Sequence, residues 1–300
     1  WTAGLQEDAT LTTTHDVGFM IFCSFGGGLQ LAGEAPYTPT IVRAAHSLAM
    51  RYDARVGMVR SWGPVDDEKK FEVIVDNLMN LELLFWVGAA TRNATLTAMA
   101  TSHAARTGEH WLREDGSTVH LCIFSPRTGA LLSPCTATPQ GLSANSTWAR
   151  GQAWAIYGFT IAYRYTRLPS FLRSARAAAD FYLGATNASG GIPPWDFDAS
   201  PPRAWRDTSA AAIAASALYE LGSFVAPDAY RTAAERILTT VASDPSLRAD
   251  PRTSDAVLAA NRADCGDARC TLIESDYYLL EALRRRRGQL PPRPPTPMLS

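Results

Sequence analysis

Two short acidic motifs hold the residues best suited to chemistry. His15-Asp16-Val17-Gly18-Phe19 opens one apolar run, and Asp76-Asn77-Leu78-Met79-Asn80 lies between Phe71-Glu72-Val73-Ile74-Val75 and Leu83-Leu84-Phe85-Trp86. An acid buried in such a stretch has its pKa raised unless a partner offsets its desolvation, and a raised pKa is what a general acid needs. Asp16 follows Thr12-Thr13-Thr14-His15 and reads equally well as an N-cap aspartate. The two readings are compatible. A carboxylate at a helix start stays ionised, because the helix dipole and free amides favour the anion, and its charge pushes a neighbouring acid upward. Asp16 and Asp76 are therefore expected to form one carboxylate pair. Asn80, one helical turn beyond Asp76, would bond the acid or a sugar hydroxyl. A buried, satisfied Asp-Asn pair fits the same spacing.

Further candidates fall between and beyond these motifs. Arg60-Ser61-Trp62-Gly63-Pro64 reads as a loop whose Trp62 is either a platform for a sugar ring or a lid over the core. In Arg113 to His120, Asp115-Gly116 reads as a bend feeding a short strand, and His120 as a donor to an anionic ligand or a half-buried strand residue. The densest group is Gln140-Gly141 followed by Trp148-Ala149-Arg150-Gly151-Gln152-Ala153-Trp154. An arginine at a helix start between two indoles suits a ligand with both a carboxylate and an apolar sugar face, such as an acidic sugar. Asp196, Asp198 and Asp207 read as helix caps or loop ties.

The elements that must position these residues are mostly helical. Apolar residues recur at three and four spacing, predicting helices at about 1–8, 16–32, 38–53, 70–91, 94–107, 150–166, 169–184, 207–223, 227–243 and 273–287. Ser117 to Phe124 is the one convincing strand. Helices apolar or small on most faces (Gly151 to Tyr163, Thr208 to Leu221) alternate with one-sided ones (Leu172 to Tyr182, Tyr230 to Leu238). That alternation describes two concentric rings of helices better than a four-helix bundle, in which every helix is one-sided. No fixed-period repeat supports a solenoid.

At 300 residues and 46% hydrophobic content the chain can bury a large core, and nothing marks a boundary between two domains. A net charge of -1 with scattered Lys and Arg speaks against nucleic acid as a partner. The basic run Arg284 to Arg287, followed by Gly288 and Pro291 to Pro297, reads as a helix end and a disordered tail. No apolar stretch approaches the roughly 20 residues that span a bilayer, which speaks against a membrane protein. The chain opens at Trp1, so a signal peptide is neither seen nor ruled out. The five cysteines lack a zinc spacing. Cys265 and Cys270 flank a short loop and could pair, and Cys23 reads as a small buried hydrophobe. Sequons at Asn93, Asn145 and Asn187, with that bridge, tilt the reading toward a secreted protein.

Taken together, the motifs resemble those of the unsaturated glucuronyl hydrolases, glycoside hydrolase family 88. The likeness runs in order through His15-Asp16-x-Gly18-Phe19, Arg60-Ser61-Trp62, Asp76-Asn77-Leu78-Met79-Asn80 and Arg113-x-Asp115-Gly116-Ser117-Thr118-x-His120. It continues through Gln140-Gly141, Trp148-x-Arg150-Gly151-Gln152-Ala153-Trp154, Pro194-Trp195-Asp196-Phe197-Asp198, Asp207-x-Ser209-Ala210 and Asp276-Tyr277-Tyr278. It implies an all-α (α/α)6 barrel and hydration of the C4=C5 bond of an unsaturated uronic-acid oligosaccharide, followed by loss of the glycosidic link. It also implies Asp76 as general acid/base, Asp16 as the second essential carboxylate, and Trp62, His120, Gln140, Trp148, Arg150 and Trp154 around the sugar. No metal or organic cofactor is implied. Ten predicted helices are two short of a closed ring, so the first hairpin is expected to precede Trp1, with one domain over 1–288 and a tail over 289–300. Ser275 stands where the family usually has glycine. An unsaturated rhamnogalacturonyl hydrolase of the same fold is the near alternative, against which Trp148-x-Arg150-Gly151-Gln152 argues. A sugar-binding barrel remnant without turnover is the distant one.

Overall fold

The computed structural model describes residues 2–135, 140–202, 204–225, 229–260 and 270–290. Its helices fall into two burial regimes. Every residue of α8 (Thr208–Leu221) is buried, as are all but a few of α4 (Asn77–Ala90) and α6 (Ala149–Thr166). In contrast, α3 (Thr38–Ala49), α5 (Ala94–His110), α7 (Pro169–Thr186) and α9 (Ala229–Ser243) each bury a single stripe. The first set packs side by side, α4 on α6, α6 on α8 and α8 on α10 (Ile273–Arg286), while α5, α7 and α9 back them from outside. This is the inner and outer alternation that the sequence predicts.

Composition explains the inner ring. The alanine-rich α8 combines high helix propensity with side chains small enough for neighbours on every face. Where α4 meets α6 the approach is closer still: a Cβ at Gly158 would lie 2.3 Å from Cβ of Leu78, so only glycine fits. Side chains set two of the helix starts. Asn93 accepts the amides of Thr95 and Leu96 ahead of α5, and Asp207 accepts that of Ala210 at 3.0 Å ahead of α8.

Several boundaries depart from expectation. The segment predicted as one helix over 70–91 is a strand followed by a helix. β3 (Phe71–Ile74) pairs antiparallel with β4 (Leu121–Phe124), Phe71 facing Phe124 and Ile74 facing Leu121. Short apolar runs do not distinguish strand from helix by period, and the β-branched Val73, Ile74 and Val75 favour the strand. Residues 2–10 form two 3-10 turns rather than an α-helix. The helix expected over 38–53 stops at Ala49 and gives way to a hairpin of β1 (Tyr52–Asp53) and β2 (Met58–Val59). The inner segment at 16–32 is α1 (Val17–Ile21), a π-helical turn Phe22–Gly26, and α2 (Gly27–Ala32).

A disulfide joins Cys122 of β4 to Cys135, with Cα atoms 4.3 Å apart, a pairing that spacing alone did not suggest. The expected Cys265 and Cys270 pairing involves Cys265, outside the described residues, as is 291–300 of the expected tail. Cys23 is a free thiol, only partly buried. Among the described residues no helix is long and apolar enough to cross a membrane.

Candidate active site

The N-terminal ends of the inner helices α1, α4, α6 and α10 converge on one pocket of about 480 Å³. Asp16, Asp76, Gln140, Trp148, Arg150 and Trp154 line it, so six of the eight residues named from sequence meet there. The other two stand just outside. His120 is buried behind Asp76, its Nε2 3.2 Å from Oδ2, with its ring 4.6 Å from that of Trp148. Trp62 is 36% exposed and turns an edge toward the His15 ring at 6.3 Å.

The small sheet delivers the acid. Pairing of β3 with β4 continues through the Val75 amide, which donates to the His120 carbonyl at 3.0 Å, so Asp76 and His120 leave the ladder side by side. The next residue ties the acid to its surroundings. Asn77 accepts from the Ser61 hydroxyl at 2.6 Å and donates to the Val59 carbonyl at 2.8 Å. The Ser61 carbonyl takes the His15 amide at 3.1 Å, which holds the Asp16 loop against the start of α4. Arg51, buried, fastens the same loops through the carbonyls of Thr12, Arg60 and Gly63.

Two expectations about the carboxylates fail. Asn80 does not bond Asp76: its Oδ1 accepts the Phe19 amide at 2.7 Å and its Nδ2 meets His15 Nδ1 at 2.9 Å. Nor is Asp76 raised. Burial pushes its carboxyl up, but the hydrogen bond and charge of His120, with Arg150 and any positive charge on His15 adding less, outweigh it, and the carboxyl is held below its ordinary value. Asp16 is not among these main influences. It starts α1 without a side-chain cap, has its side chain 46% exposed, and takes the Thr14 hydroxyl at 2.9 Å, with His15 Nε2 at 3.4 Å. The expected pair is two carboxylates on one pocket with an imidazole beside Asp16.

Arg150 reaches the pocket from the first turn of α6. Its guanidinium lies 4.6 Å over the Trp148 ring, donates to Ser209 Oγ at 3.1 Å, and has Asp207 Oδ2 at 3.9 Å. Asp207 therefore steadies the arginine as well as capping α8. Asp196 and Asp198 are loop ties as expected: Asp196 accepts from Leu142 and Ser146 at 2.8 Å each, and Asp198 from the Thr147 amide at 3.0 Å. Asp115 closes its bend on Ser117. Gln152 ties that bend to α7, accepting from Thr118 and donating to the carbonyls of Gly116 and Ala178.

The buried indole N–H of Trp154 has no partner among the described residues, leaving a donor in the pocket wall. Sequence reasoning missed Phe19, Tyr277 and Tyr278 as wall residues, although all three stand in motifs it singled out. Phe19 and Tyr278 pack on Trp154 at 5.2 and 5.3 Å. Among the described residues no group of three or more His, Cys, Asp or Glu is arranged to hold a metal ion.

Two rings of helices whose N-terminal mouth presents carboxylates, indoles and a guanidinium define an α/α-barrel enzyme acting on carbohydrate. Comparison with known proteins agrees. The chain is 38% identical, over 96% of its length and 73% of the relative's, to an unsaturated glucuronyl hydrolase of Formosa agariphila. It is 31% identical, over 69% of its length and 51% of the relative's, to an unsaturated chondroitin disaccharide hydrolase of Streptococcus pyogenes. A crystal structure of an unsaturated glucuronyl hydrolase specific for heparin superposes with a TM-score of 0.88 at 35% identity, covering 97% of this chain and 80% of that one. No general family model matches. The chain belongs to the unsaturated glucuronyl hydrolases, and its fold is their (α/α)6 barrel.

Proposed function

We propose that the protein removes the 4,5-unsaturated glucuronyl residue from the non-reducing end of lyase-generated oligosaccharides by hydrating its C4=C5 vinyl ether. The observation that carries this reading is the shared pocket of Asp76, with His120 behind it, and Arg150 seated on Trp148. Trp148 and Trp154 offer apolar faces to a sugar ring, and Arg150 offers a cation to its carboxylate. In the free protein Asp76 is held as the anion. An arriving uronate brings negative charge and displaces water, both of which favour the protonated acid, so the proton is taken up as the substrate binds. Asp76 delivers that proton to C4 and takes one from the water that adds at C5. The resulting hemiketal opens to a ketone at C5, leaving a hemiacetal at C1 that releases the remaining sugar. Asp16, more exposed, accepts a substrate hydroxyl beside the reacting carbons.

The test is loss of the double bond's ultraviolet absorbance on a panel of lyase-made disaccharides from glycosaminoglycans, gellan and pectin. Turnover on one or more glucuronyl substrates is expected. Turnover of the pectin-derived member alone would reassign the protein to rhamnogalacturonyl hydrolysis, and binding without turnover on every member would make it a sugar-binding barrel.

A further inference from the structure

Asn80 is buried, lies off the pocket wall, and spends both ends of its amide on the residues either side of Asp16, His15 in the loop and Phe19 in α1. Phe19 N–H is a donor, so the atom facing it at 2.7 Å is the amide oxygen. The nitrogen is thereby turned to His15 Nδ1 at 2.9 Å. An amide nitrogen only donates, so Nδ1 must accept, and the single ring proton sits on Nε2. That nitrogen lies 3.4 Å from Asp16 Oδ1. A doubly protonated ring would set N–H against N–H. The fit at this point is tight: a Cβ on Gly18 would stand 2.5 Å from Oδ1 and 2.7 Å from Cα of Asn80. Glycine at position 18 lets the start of α1 press on Asn80, which explains why the His15-x-x-Gly18-Phe19 and Asp76 to Asn80 motifs occur together.

We propose that Asn80 is a positioning residue acting through His15: it holds the imidazole neutral, with its proton on Nε2, so that the ring donates to Asp16 and adds no further positive charge to those already beside Asp76. The role rests on the proposed reaction, in which Asp76 must regain a proton. The groups acting on His15 are mixed. Burial disfavours the cation, Asp16 and Asp76 favour it, and Arg51 and His120 oppose it, with a net displacement below the ordinary imidazole value.

The ring can be examined without substrate. With only five histidines in the chain, the side-chain nitrogens of the labelled protein can be followed by NMR as pH varies. His15 is expected to show a bare Nδ1 and a protonated Nε2, unchanged between about pH 5 and pH 8, a range that brackets the ordinary histidine pKa. A proton on Nδ1, or an imidazolium near pH 6, would overturn the proposal. Asn80→Asp keeps an acceptor for Phe19 but replaces the donor facing Nδ1 with another acceptor. His15 should then titrate within that range, and turnover should fall at least tenfold with a new inflection in its pH profile. Unaltered ring nitrogens, or an unaltered profile in a variant with wild-type melting behaviour, would refute the role. Should no disaccharide be turned over by the wild type, the proposed reaction fails while the ring measurement still decides how Asn80 holds His15.

Discussion

Asp76 stands at the start of the inner helix α4 and Glu82 lies six residues further along it; they are buried alike, with side chains 14% and 17% exposed, yet their carboxyls are displaced in opposite directions. Burial pushes both up. At Asp76 it is outweighed by a hydrogen-bond donor and positive neighbours. At Glu82 it prevails although Arg164 stands at 2.8 Å, because that arginine is shared with Glu220 at 3.0 Å and Glu281 adds further negative charge. Arg285 completes this second cluster, contacting Glu220 at 2.8 Å and Glu281 at 3.8 Å. Three carboxylates around two guanidiniums form a charge network that ties the C-terminal halves of α6, α8 and α10 to α4. A smaller pocket of about 260 Å³ borders Glu82, Arg164, Glu281 and Arg285 and shares Phe19, Cys23, Tyr277 and Tyr278 with the mouth, so what separates the two sites is how fully their charges are paired with one another. Burial of a charge is thus not by itself a sign of function; what surrounds it decides.

The largest expected effect separates the two sites by activity. Asp76→Asn should lower kcat by at least about 10²-fold, the low end for general acid/base catalysis, with melting temperature little changed. Retention of more than a tenth of the wild-type rate in the double-bond assay would remove Asp76 from the chemistry. In the second cluster Arg164→Met should do the reverse. Breaking a buried pair typically costs about 3–5 kcal/mol, so the urea midpoint should drop markedly while kcat per folded molecule stays near wild type. Loss of turnover without loss of stability would place this cluster in the catalytic machinery.

Arg150→Ala should reduce kcat/KM by about 1.5–3 kcal/mol, or roughly 10- to 150-fold, if a charge-assisted bond to the substrate is lost. Kinetics unchanged on every substrate would detach Arg150 from binding. The smallest effect is in stability against pH. Asp76, held below its ordinary value, contributes stability that is present above about pH 4 and lost as pH falls through its folded pKa. Glu82, held above its ordinary value, contributes stability that is present below about pH 4.3 and lost as pH rises through its folded pKa. Asp76→Asn should therefore flatten the acid limb of the urea midpoint against pH, and Glu82→Gln the limb on the rising side. If both substitutions flattened the same limb, the contrast between the two sites would be wrong.

Much of this arrangement was legible beforehand, for identifiable reasons. The inner helices announce themselves because a helix buried all round must be small or apolar on every face, as Thr208 to Leu221 is. The mouth residues were legible because arginine, tryptophan and acid at helix starts are poorly explained by packing alone. Misreadings arose where local pattern is degenerate: Phe71 to Val75 has no period that separates strand from helix, and Cys122 and Cys135 carry no spacing signal.

The sequence by itself determined the ring of alternating helices, the family, and six of the residues that meet at its mouth, since helical periodicity and motif order are properties of neighbouring residues. Only the tertiary structure decided the sign of the Asp76 displacement, the partners of Asn80, and the cluster of Glu82, Arg164, Glu220, Glu281 and Arg285. Each depends on which groups from distant segments stand within a few ångströms. At that range a hydrogen bond or an unshared charge outweighs the desolvation that a reading of local hydrophobicity can foresee.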